Sequence, residues 1–405
     1  MKHKVRNFVT ALSEVKKGSN LYYGWIGALL AIMTVGFISY VVQMEYGFIV
    51  TSIRDQVSWG FYISNFTFLV GVAAAAVLLV LPAYVYHFKP IKEIVFLGEM
   101  MAITAIIMCI MFVTADLGHP ERAWHLLPLF GSPNFPSSLL TWDVLVLNGY
   151  LIINATVFFY IMYKVYEGAD YNKIMPLILL SIPWAVSIHT VTAFLYNGLG
   201  ARPFWNASIL APRFLASAFC SGPALMILVL QVVRKVAKVP IDNKAIFKLS
   251  ELIAFTMAIN IFLLMCEVFK EVYSDSIHLY SLKYLYFGLH GHNDLVFWMW
   301  LAFTFNSVSL FLFLFPKTSK DIRFVNIGCA LTVTGVYIEK GFGLVIPGFV
   351  PDTLGEIYEY SPTIVEIFVT MGIWATGALI YTLLFKFAYP IYRKGLANNN
   401  QAEAN

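Results

Sequence analysis

Ten long apolar stretches constrain this chain more than any other feature of its sequence. Each is near or above the roughly 20 residues that an α-helix needs to cross a bilayer. Short connections leave few residues for a soluble domain, and only 12% of the chain is charged. The sequence therefore predicts an all-α integral membrane protein with ten transmembrane helices. We place them at about 22–43, 61–86, 91–115, 141–163, 174–198, 208–233, 249–272, 291–315, 324–347 and 362–388.

This pattern predicts a single transmembrane domain over residues 22–390. Residues 1–21 form a cytoplasmic N-terminal arm, and residues 391–405 form a disordered cytoplasmic tail. The arm is not interpreted as a cleaved signal, because the first apolar run is too long and lacks a small-residue cleavage site.

The positive charges predict the orientation of the chain. With ten spans both termini lie on one side, and that side carries 20 of the 27 lysines and arginines. Basic residues collect in cytoplasmic loops. Both termini should therefore face the cytoplasm, and the chain should be a multi-pass protein of the cell membrane. The net charge of +4 reflects the same rule, so no nucleic-acid partner is predicted.

The most informative motif is the segment Asp116-Leu117-Gly118-His119-Pro120-Glu121-Arg122, followed by Trp124 and His125. Ionisable groups at the mouth of membrane helices are costly unless they are paired or solvated. Asp116 and His119 have the i, i+3 spacing of neighbours on one helical face. We expect these residues to form a paired network with Asp143, although simple solvation at the interface is the alternative.

Other polar residues are predicted on the same outer side. Trp142 and Asp143 open the fourth span, His189 lies in the fifth, and Arg202 follows it. Glu267, Asp294 and Glu339 lie near the outer ends of spans seven to nine. Each has a simpler interpretation as well: His189 as a hydrogen-bonded core residue, Asp294 as part of a helix cap, and Glu339 as the partner of an arginine or of Lys340.

The chain is not predicted to hold a metal, haem or iron–sulfur cluster. Cys109, Cys220, Cys266 and Cys329 fall inside predicted spans and form no CxxC motif. A bis-histidine haem needs two axial histidines at similar depth, and only His189 is well inside a span. Electrons would therefore have to come from a partner on the outer face.

The chemistry that fits these residues is proton-coupled redox of a lipid-soluble quinone. A quinone headgroup needs hydrogen-bond donors at its carbonyls and a group that exchanges protons near neutral pH, which histidine and carboxylates provide. We expect His119 to exchange the proton, with Asp116 or Asp143 as its charge partner. Arg122 would keep the acids ionised and order the loop.

The Asp116–Arg122 motif with Trp124 resembles that of the NrfD/PsrC family, the membrane subunits of polysulfide reductases. Supporting similarity comes from the serine-rich stretch that ends in Trp142-Asp143, from His189 to Phe194, from Ala201-Arg202-Pro203 with Trp205, and from Lys340 to Gly348. The resemblance covers roughly residues 20–390. The ten-helix form is similar to the DsrP- and HmcC-like branch found in respiratory complexes.

This resemblance implies two four-helix bundles, spans two to five and spans six to nine, flanked by one helix at each end. It implies a haem-free subunit that exchanges electrons between the quinone pool, with menaquinone favoured, and outer-facing iron–sulfur and multihaem cytochrome c subunits. Further membrane and cytoplasmic subunits and membrane lipid are compatible partners, and sulfur metabolism is a fitting context. The site would lie in the first bundle, with His119, Asp116 and Asp143 catalytic. Arg122, Trp142, His189 and Arg202 would bind quinone, and Glu267, Asp294 and Glu339 are proton-path candidates.

A secondary transporter or an ion-translocating subunit is the alternative from another functional class. Ten spans with glycine and proline interruptions and buried acids suit it as well. Against it, the polar residues crowd the outer mouth, whereas a through-path needs charged groups at inner depth. Glu99 and Glu251 are the only inner candidates.

Overall fold

The computed structural model describes residues 15–127, 130–169, 171–275, 277–352 and 354–403. The described residues contain ten helices long and apolar enough to cross a membrane, which confirms the predicted fold class. They are α1 (Asn20–Val50), α2 (Phe61–Val85), α3 (Val95–Asp116), α4 (Leu139–Glu167), α5 (Asn172–Asn197), α6 (Leu210–Ala237), α7 (Asn243–Ser274), α8 (Val296–Leu314), α9 (Ile322–Phe349) and α10 (Ile364–Arg393).

The structure adds detail that the apolar pattern did not give. A short helix, His278–Tyr286, lies between α7 and α8. The start of α8 moves to Val296, because Leu289 and His292 pair in a tight bridge before it. The helical backbone of α10 continues to Glu403, through most of the segment predicted as a disordered tail. Lys2, Lys4 and Arg6 of the predicted arm lie outside the described residues, and the domain boundaries stay predictions.

Several helices begin at a side chain that accepts a hydrogen bond from the first turn. Ser138 accepts from the Thr141 amide at 3.3 Å at the start of α4. Asp242 and Asp321 cap α7 and α9 in the same way. Such caps satisfy backbone N–H groups that have no partner within the helix, and they fix where each span begins.

Eight of the ten helices, α2 to α9, form two groups of four by their contacts. In the first, contacts run in a closed ring from α2 to α3, α4, α5 and back to α2. In the second, they run from α6 to α7, α8, α9 and back to α6. The bundles meet where α6 packs on α2 and α5, and where α9 packs on α2. Residues of α2, α5, α6 and α9 that face this junction can therefore contribute to a site between the bundles.

Both flanking helices lie beside the first bundle. α1 packs chiefly on α10, and α10 packs on α3 and α4. At the crossing of α1 and α10, a Cβ atom built on Gly36 would lie 2.6 Å from the Gly372 Cα. Two glycines therefore let these backbones touch, as small residues do between membrane helices.

Two spans, α2 and α9, contain irregular backbone within their membrane-spanning length. α2 changes from α-helix to a π-helical turn at Leu81–Val85, which contains Pro82. α9 breaks at Gly341, directly after Glu339 and Lys340. A Cβ at Gly341 would lie 2.6 Å from the Tyr337 carbonyl, so this break tolerates no larger residue without adjustment. Irregular backbone at membrane depth is tolerated where protein surrounds it.

We name the two ends of the bundles by their connections. The long-loop face carries residues 51–60, 117–138, 198–209, 275–295 and 350–363. The short-loop face carries residues 86–94, 168–171, 238–242 and 315–321, together with the start of α1 and the end of α10.

Candidate functional site

A pocket of about 380 Å³ opens on the long-loop face, where the two bundles meet. Its volume is within the range of small-molecule sites, about 300–1,000 Å³. The residues that line it are Ser58, Trp59, Gly198, Leu199, Gly200, Ala201, Arg202, Trp205 and Phe349. They come from the connections before α2 and after α5 and from the end of α9.

Aromatic rings build the walls of this pocket. The rings of Trp59 and Trp205 stack with centroids 5.4 Å apart, and Phe349 meets Trp205 edge-on at 5.0 Å. Trp205 is fully buried, and its Nε1 donates a 2.7 Å hydrogen bond to the Leu344 carbonyl. A Cβ on Gly348 would overlap the Trp205 indole at 1.9 Å, so only glycine leaves room for this ring.

Arg202 is the predicted quinone-binding residue that lines the pocket. Its guanidinium carbon lies 4.7 Å from the centroid of the Phe349 ring, which is cation–π geometry. The segment after α5 turns tightly, since the Arg202 amide bonds the Leu199 carbonyl at 2.9 Å. The guanidinium therefore sits on an aromatic wall, with hydrogen-bond donors available at the pocket.

A layer of buried polar side chains lies beneath the pocket. Gly198 of the pocket wall is packed against Leu139, and Asp143 lies one helical turn deeper in α4. Asp143 is 1% exposed and accepts a 2.7 Å hydrogen bond from the Thr192 hydroxyl. On the other side, the hydroxyls of Tyr196 and Thr67 lie 2.5 Å apart. Tyr196 also contacts Trp59 and Trp205, so its hydroxyl links the aromatic wall to this layer.

His189 lies deeper in the same bundle, three residues before Thr192 on α5. It is 1% exposed, and its Nδ1 atom has no well-aligned hydrogen-bond partner among the described residues. It lines a second, much smaller cavity between the bundles. The core-histidine interpretation fits both this burial and the backbone hydrogen bond that His189 makes with Ala185, one turn earlier on α5.

Asp116 ends α3 close to α1 and α2. Its Oδ1 atom is buried without a hydrogen-bond partner among the described residues. Gln43 of α1 donates to the neighbouring Ala115 carbonyl at 2.7 Å, and the Tyr62 hydroxyl donates to Gln43 at 2.6 Å. These contacts fix the end of α3 and place Asp116 at the rim of the first bundle.

The predicted pairing of Asp116 with His119 and Arg122 is wrong in this structure. α3 ends at Asp116, and Leu117 is extended, so the i, i+3 spacing no longer places Asp116 and His119 on one helical face. The side chains of His119 and Arg122 are 68% and 69% exposed. His119 Nδ1 lies 2.9 Å from Glu121 instead. The Glu121 backbone amide and then His119 hold the pKa of Glu121 below its usual range.

Trp142 holds the connection that contains His119 rather than lining the pocket. Its Nε1 donates to the Pro136 carbonyl at 2.9 Å, and its ring lies 4.5 Å from that of Phe135.

A buried charged cluster occupies the second bundle. Arg213 of α6 contacts Glu267 of α7 and bonds Glu339 of α9 at 2.9 Å. The Lys340 amine lies 3.1 Å from Glu339. All four side chains are at most 7% exposed. The formal charges of the four side chains cancel, as buried ions require. The structural-pair interpretation of Glu339 is thus correct for both of its expected partners.

Asparagine amides complete the shell around Glu339. Asn306 of α8 and Asn260 of α7 donate to Glu339 Oε2 at 2.9 Å and 3.4 Å. All four helices of the second bundle therefore supply at least one polar group to this cluster.

Asp294 does not join that cluster. It lies exposed in the turn before α8, and its backbone amide bonds Glu359 at 3.1 Å. His292 Nδ1 lies 3.2 Å from the same carboxylate. No side chain caps the start of α8, so the helix-cap interpretation is not supported either.

The two inner acids differ from each other. Glu251 is exposed and pairs with Lys248 at 2.9 Å. Glu99 is 3% exposed near the short-loop face, and neither carboxylate oxygen has a hydrogen-bond partner among the described residues. The first bundle therefore contains a buried acid near its short-loop face, as the transporter alternative requires.

Trp59, Phe349 and Arg213 were not singled out from the sequence. Trp59 precedes a span between Ser58 and Gly60, and Phe349 follows the Pro347-Gly348 turn. Arg213 had a usable signal, because an arginine four residues into an apolar span needs an acid partner.

Among the described residues, no group of three or more His, Cys, Asp or Glu is placed to hold a metal ion.

Comparison with known proteins identifies the family of this chain. The family model described as polysulphide reductase, NrfD, matches residues 49–351. The chain is 24% identical to the Hdr-like menaquinol oxidoreductase integral membrane subunit of Archaeoglobus fulgidus, over 91% of this chain and 94% of that protein. It is 24% identical to the C subunit of selenate reductase from Mesobacillus selenatarsenatis, over 90% and 93% of the two chains. This multi-pass membrane protein therefore belongs to the NrfD family.

Proposed function

We propose that this chain is the quinone-interacting membrane subunit of a multi-subunit redox complex, and that the pocket between the bundles receives the quinone headgroup. The observation that carries the proposal is the position of that aromatic pocket directly above buried titratable side chains. One of the similar proteins is named a menaquinol oxidoreductase subunit, so menaquinone is the favoured quinone.

The residues present fit such a headgroup. The rings of Trp59, Trp205 and Phe349 offer flat apolar walls, which suit a planar ring. Arg202 and Ser58 are hydrogen-bond donors on the same lining. Arg202 would hold one carbonyl oxygen, and its contact with Phe349 would keep the guanidinium in place.

The layer below the pocket supplies the proton chemistry. A quinone takes up or releases two electrons and two protons when it reacts. Asp143 and the Tyr196–Thr67 pair are buried beneath the pocket wall, and their carboxyl and hydroxyl groups can accept or donate a proton. The Thr192 hydroxyl orients the Asp143 carboxylate, so this acid has a fixed position.

The same arrangement supports a proposal for the partner and for the orientation. The pocket opens on the long-loop face, so electrons should pass to a subunit docked there. We propose an iron–sulfur protein with a multihaem cytochrome c for that role. By the distribution of basic residues, this face would be the outer side of the cell membrane, with both termini in the cytoplasm.

The test compares two tryptophan variants in the purified complex. Trp59→Leu removes a pocket wall, whereas Trp298→Leu changes an exposed tryptophan on α8. We expect Trp59→Leu to lose bound quinone and to lower quinol-dependent turnover about two- to tenfold, since stacking against an aromatic ring is worth roughly 0.5–1.5 kcal/mol beyond its buried area. Trp298→Leu should resemble the wild type. Normal quinone content and turnover in an assembled Trp59→Leu complex would exclude this pocket.

Ion translocation without quinone chemistry is the second candidate, and Glu99 is the observation that favours it. An unpaired buried acid near the short-loop face marks an ion pathway in many membrane proteins. Proteoliposomes that contain the chain but no quinone separate the two functions. Ion flux that depends on Glu99 in these vesicles would favour the transporter.

A further inference from the structure

A small cavity lies at the junction of the bundles, deeper than the aromatic pocket. Its volume is about 10 Å³, which is room for about one water molecule. α2, α5, α6 and α9 all contribute to its lining. It is therefore the point at which the polar layer of the first bundle meets the charged cluster of the second.

The lining of this cavity is polar enough to hold a water molecule. His189 and Lys340 are buried and have one partner each, the Ala185 backbone and the Glu339 carboxylate, and His189 Nδ1 and Lys340 Nζ make no well-aligned hydrogen bond beyond these among the described residues. The hydroxyls of Ser217 and Ser221 donate to carbonyls of their own helix at 2.9 Å and 3.0 Å, which leaves their oxygens as acceptors. Thr67 lines the cavity as well. Buried waters make two to four hydrogen bonds to otherwise unsatisfied groups, and these residues offer that number.

We propose that a water molecule in this cavity links His189 to Lys340 and carries protons between the first and second bundles. This proposal rests on the proposed function, because the protons that the water carries are those that a quinone releases or takes up in the pocket.

One proton moves in this step and no electron does. His189 first takes up a proton released at the quinone pocket, then gives a proton to the water and returns to its neutral form, and the water gives one to Lys340. Lys340 passes its own proton to the Glu339 carboxylate 3.1 Å away. The water and Lys340 end in the states in which they began. Glu339 ends protonated, while Arg213 and the Asn306 amide continue to bind it.

The connection to the pocket uses contacts already described. The Tyr196 ring touches Trp59 and Trp205 of the pocket wall, and its hydroxyl contacts Thr67, which lines the cavity. Thr192, which binds Asp143, lies one turn from His189 on α5. One polar contact, between Tyr196 and Thr67, therefore runs from the pocket wall to the cavity, and the Asp143–Thr192 pair lies one helical turn from His189.

Gly71 offers a test that touches no polar group. It lines the cavity, and a Cβ built there would lie 3.4 Å from the Ala218 Cα and 3.8 Å from the Ser221 hydroxyl. Gly71→Ala thus occupies the space for the water without a severe clash. Gly27→Ala on α1 is the matched control, because nothing lies within 4 Å of its Cβ position.

In the purified complex, Gly71→Ala should lower quinol-dependent turnover by about tenfold or more while bound quinone stays at the wild-type level, since positioned proton transfer contributes roughly 10²–10⁴-fold. Gly27→Ala should retain wild-type turnover. Lys340→Met should show a similar loss, and the double variant Gly71→Ala/Lys340→Met no further loss, because both changes remove the same step. Wild-type turnover in Gly71→Ala, or multiplied losses in the double variant, overturns the relay.

The water itself can be tested independently of quinone. A high-resolution cryo-EM map of the wild-type complex should show density between His189 Nδ1 and Lys340 Nζ. An empty cavity overturns the relay, even if the Trp59→Leu variant upholds the quinone pocket. Conversely, a complex that binds no quinone contradicts the proposed function whatever the cavity holds.

Discussion

Arg213 and Glu339 bind each other across the second bundle at 2.9 Å, with side chains only 6% and 3% exposed. The same guanidinium also contacts Glu267, so one cation serves two buried carboxylates. Because burial removes the hydration of all three groups, each depends on the others for its charged state.

Arg213→Met should therefore be severe. It removes the cation that contacts both Glu267 and Glu339, and loss of one partner of a buried ion pair costs about 3–5 kcal/mol. We expect a large drop in the melting temperature of the detergent-solubilised complex, or failure to assemble. Arg213→Lys keeps the positive charge and should lower the melting temperature less than Arg213→Met does. Combining Arg213→Met with Glu267→Gln should recover part of the stability. Equal melting temperatures for wild type and Arg213→Met would contradict a paired cluster.

Gly348→Ala should distort the aromatic pocket. The added methyl overlaps the Trp205 indole, and overpacking of this kind costs about 1–3 kcal/mol. We expect weaker binding of a quinone-analogue inhibitor, measured by titration of the purified complex. Gly200→Ala changes the same lining, but its Cβ meets only Asn206 at 3.7 Å and should bind the inhibitor normally. Matching affinities in the two variants would argue against a quinone headgroup beside Trp205.

Asp143 and His119 should differ in their effects on quinone turnover. Asp143 is buried beneath the pocket and bonded to Thr192, so Asp143→Asn should reduce turnover by roughly 10²-fold or more if it exchanges a proton. His119→Ala should leave bound quinone unchanged, because His119 is exposed beside Glu121. Thr192→Val keeps the Asp143 carboxyl but removes its hydrogen bond, so its turnover should lie between those of the wild type and Asp143→Asn. Loss of quinone in His119→Ala, with Asp143→Asn normal, would reverse this assignment.

Tyr360 should stabilise the start of α10 over a defined pH range. Its hydroxyl donates to the fully buried Glu366 and accepts from the Phe61 amide at 2.8 Å. Burial, and then Glu366, raise the pKa of Tyr360. A raised phenol pKa contributes stability that is present below the unfolded pKa near 10 and lost as pH rises above it.

Tyr360→Phe should accordingly lower the free energy of unfolding by about 1–3 kcal/mol at pH 7, the cost of leaving a buried acceptor unpaired. The difference from wild type should stay constant from about pH 6 to 9 and shrink above about pH 10. Tyr358→Phe is the control, because Tyr358 bonds the exposed Glu356 at 2.5 Å and should change stability by less than about 0.5 kcal/mol.

The orientation can be measured with a membrane-impermeant thiol label. Asp55 is exposed on the long-loop face, and Lys320 is exposed on the short-loop face. The variants Asp55→Cys and Lys320→Cys therefore place one accessible thiol on each face. We expect intact cells to label the first and not the second, since the basic residues favour a cytoplasmic short-loop face. Labelling of Lys320→Cys alone would invert the topology.

The fold could be predicted because its signal is local. Each span is a continuous apolar run, and the positions of Asp116, Asp143 and Glu267 near span ends follow from counting along it. The site depends instead on distant contacts. Nothing local joins Trp59 to Trp205, or Arg213 to Glu267, which lie on separate helices. The Asp116–His119 pairing was wrong for the opposite reason, because a local helical spacing was applied beyond the end of the helix at Leu117.

The contact between Gly36 and Gly372 also concerns how the protein is made. A chain is inserted into the membrane from its N-terminus, so α1 enters before the eight helices of the two bundles, and α10, on which it chiefly packs, enters after them. While α2 to α9 are synthesised, the Gly36 face of α1 is therefore without its final partner. Assembly cannot follow the order of the chain strictly: both bundles can form before Gly36 meets Gly372, and that contact has to wait for the insertion of α10.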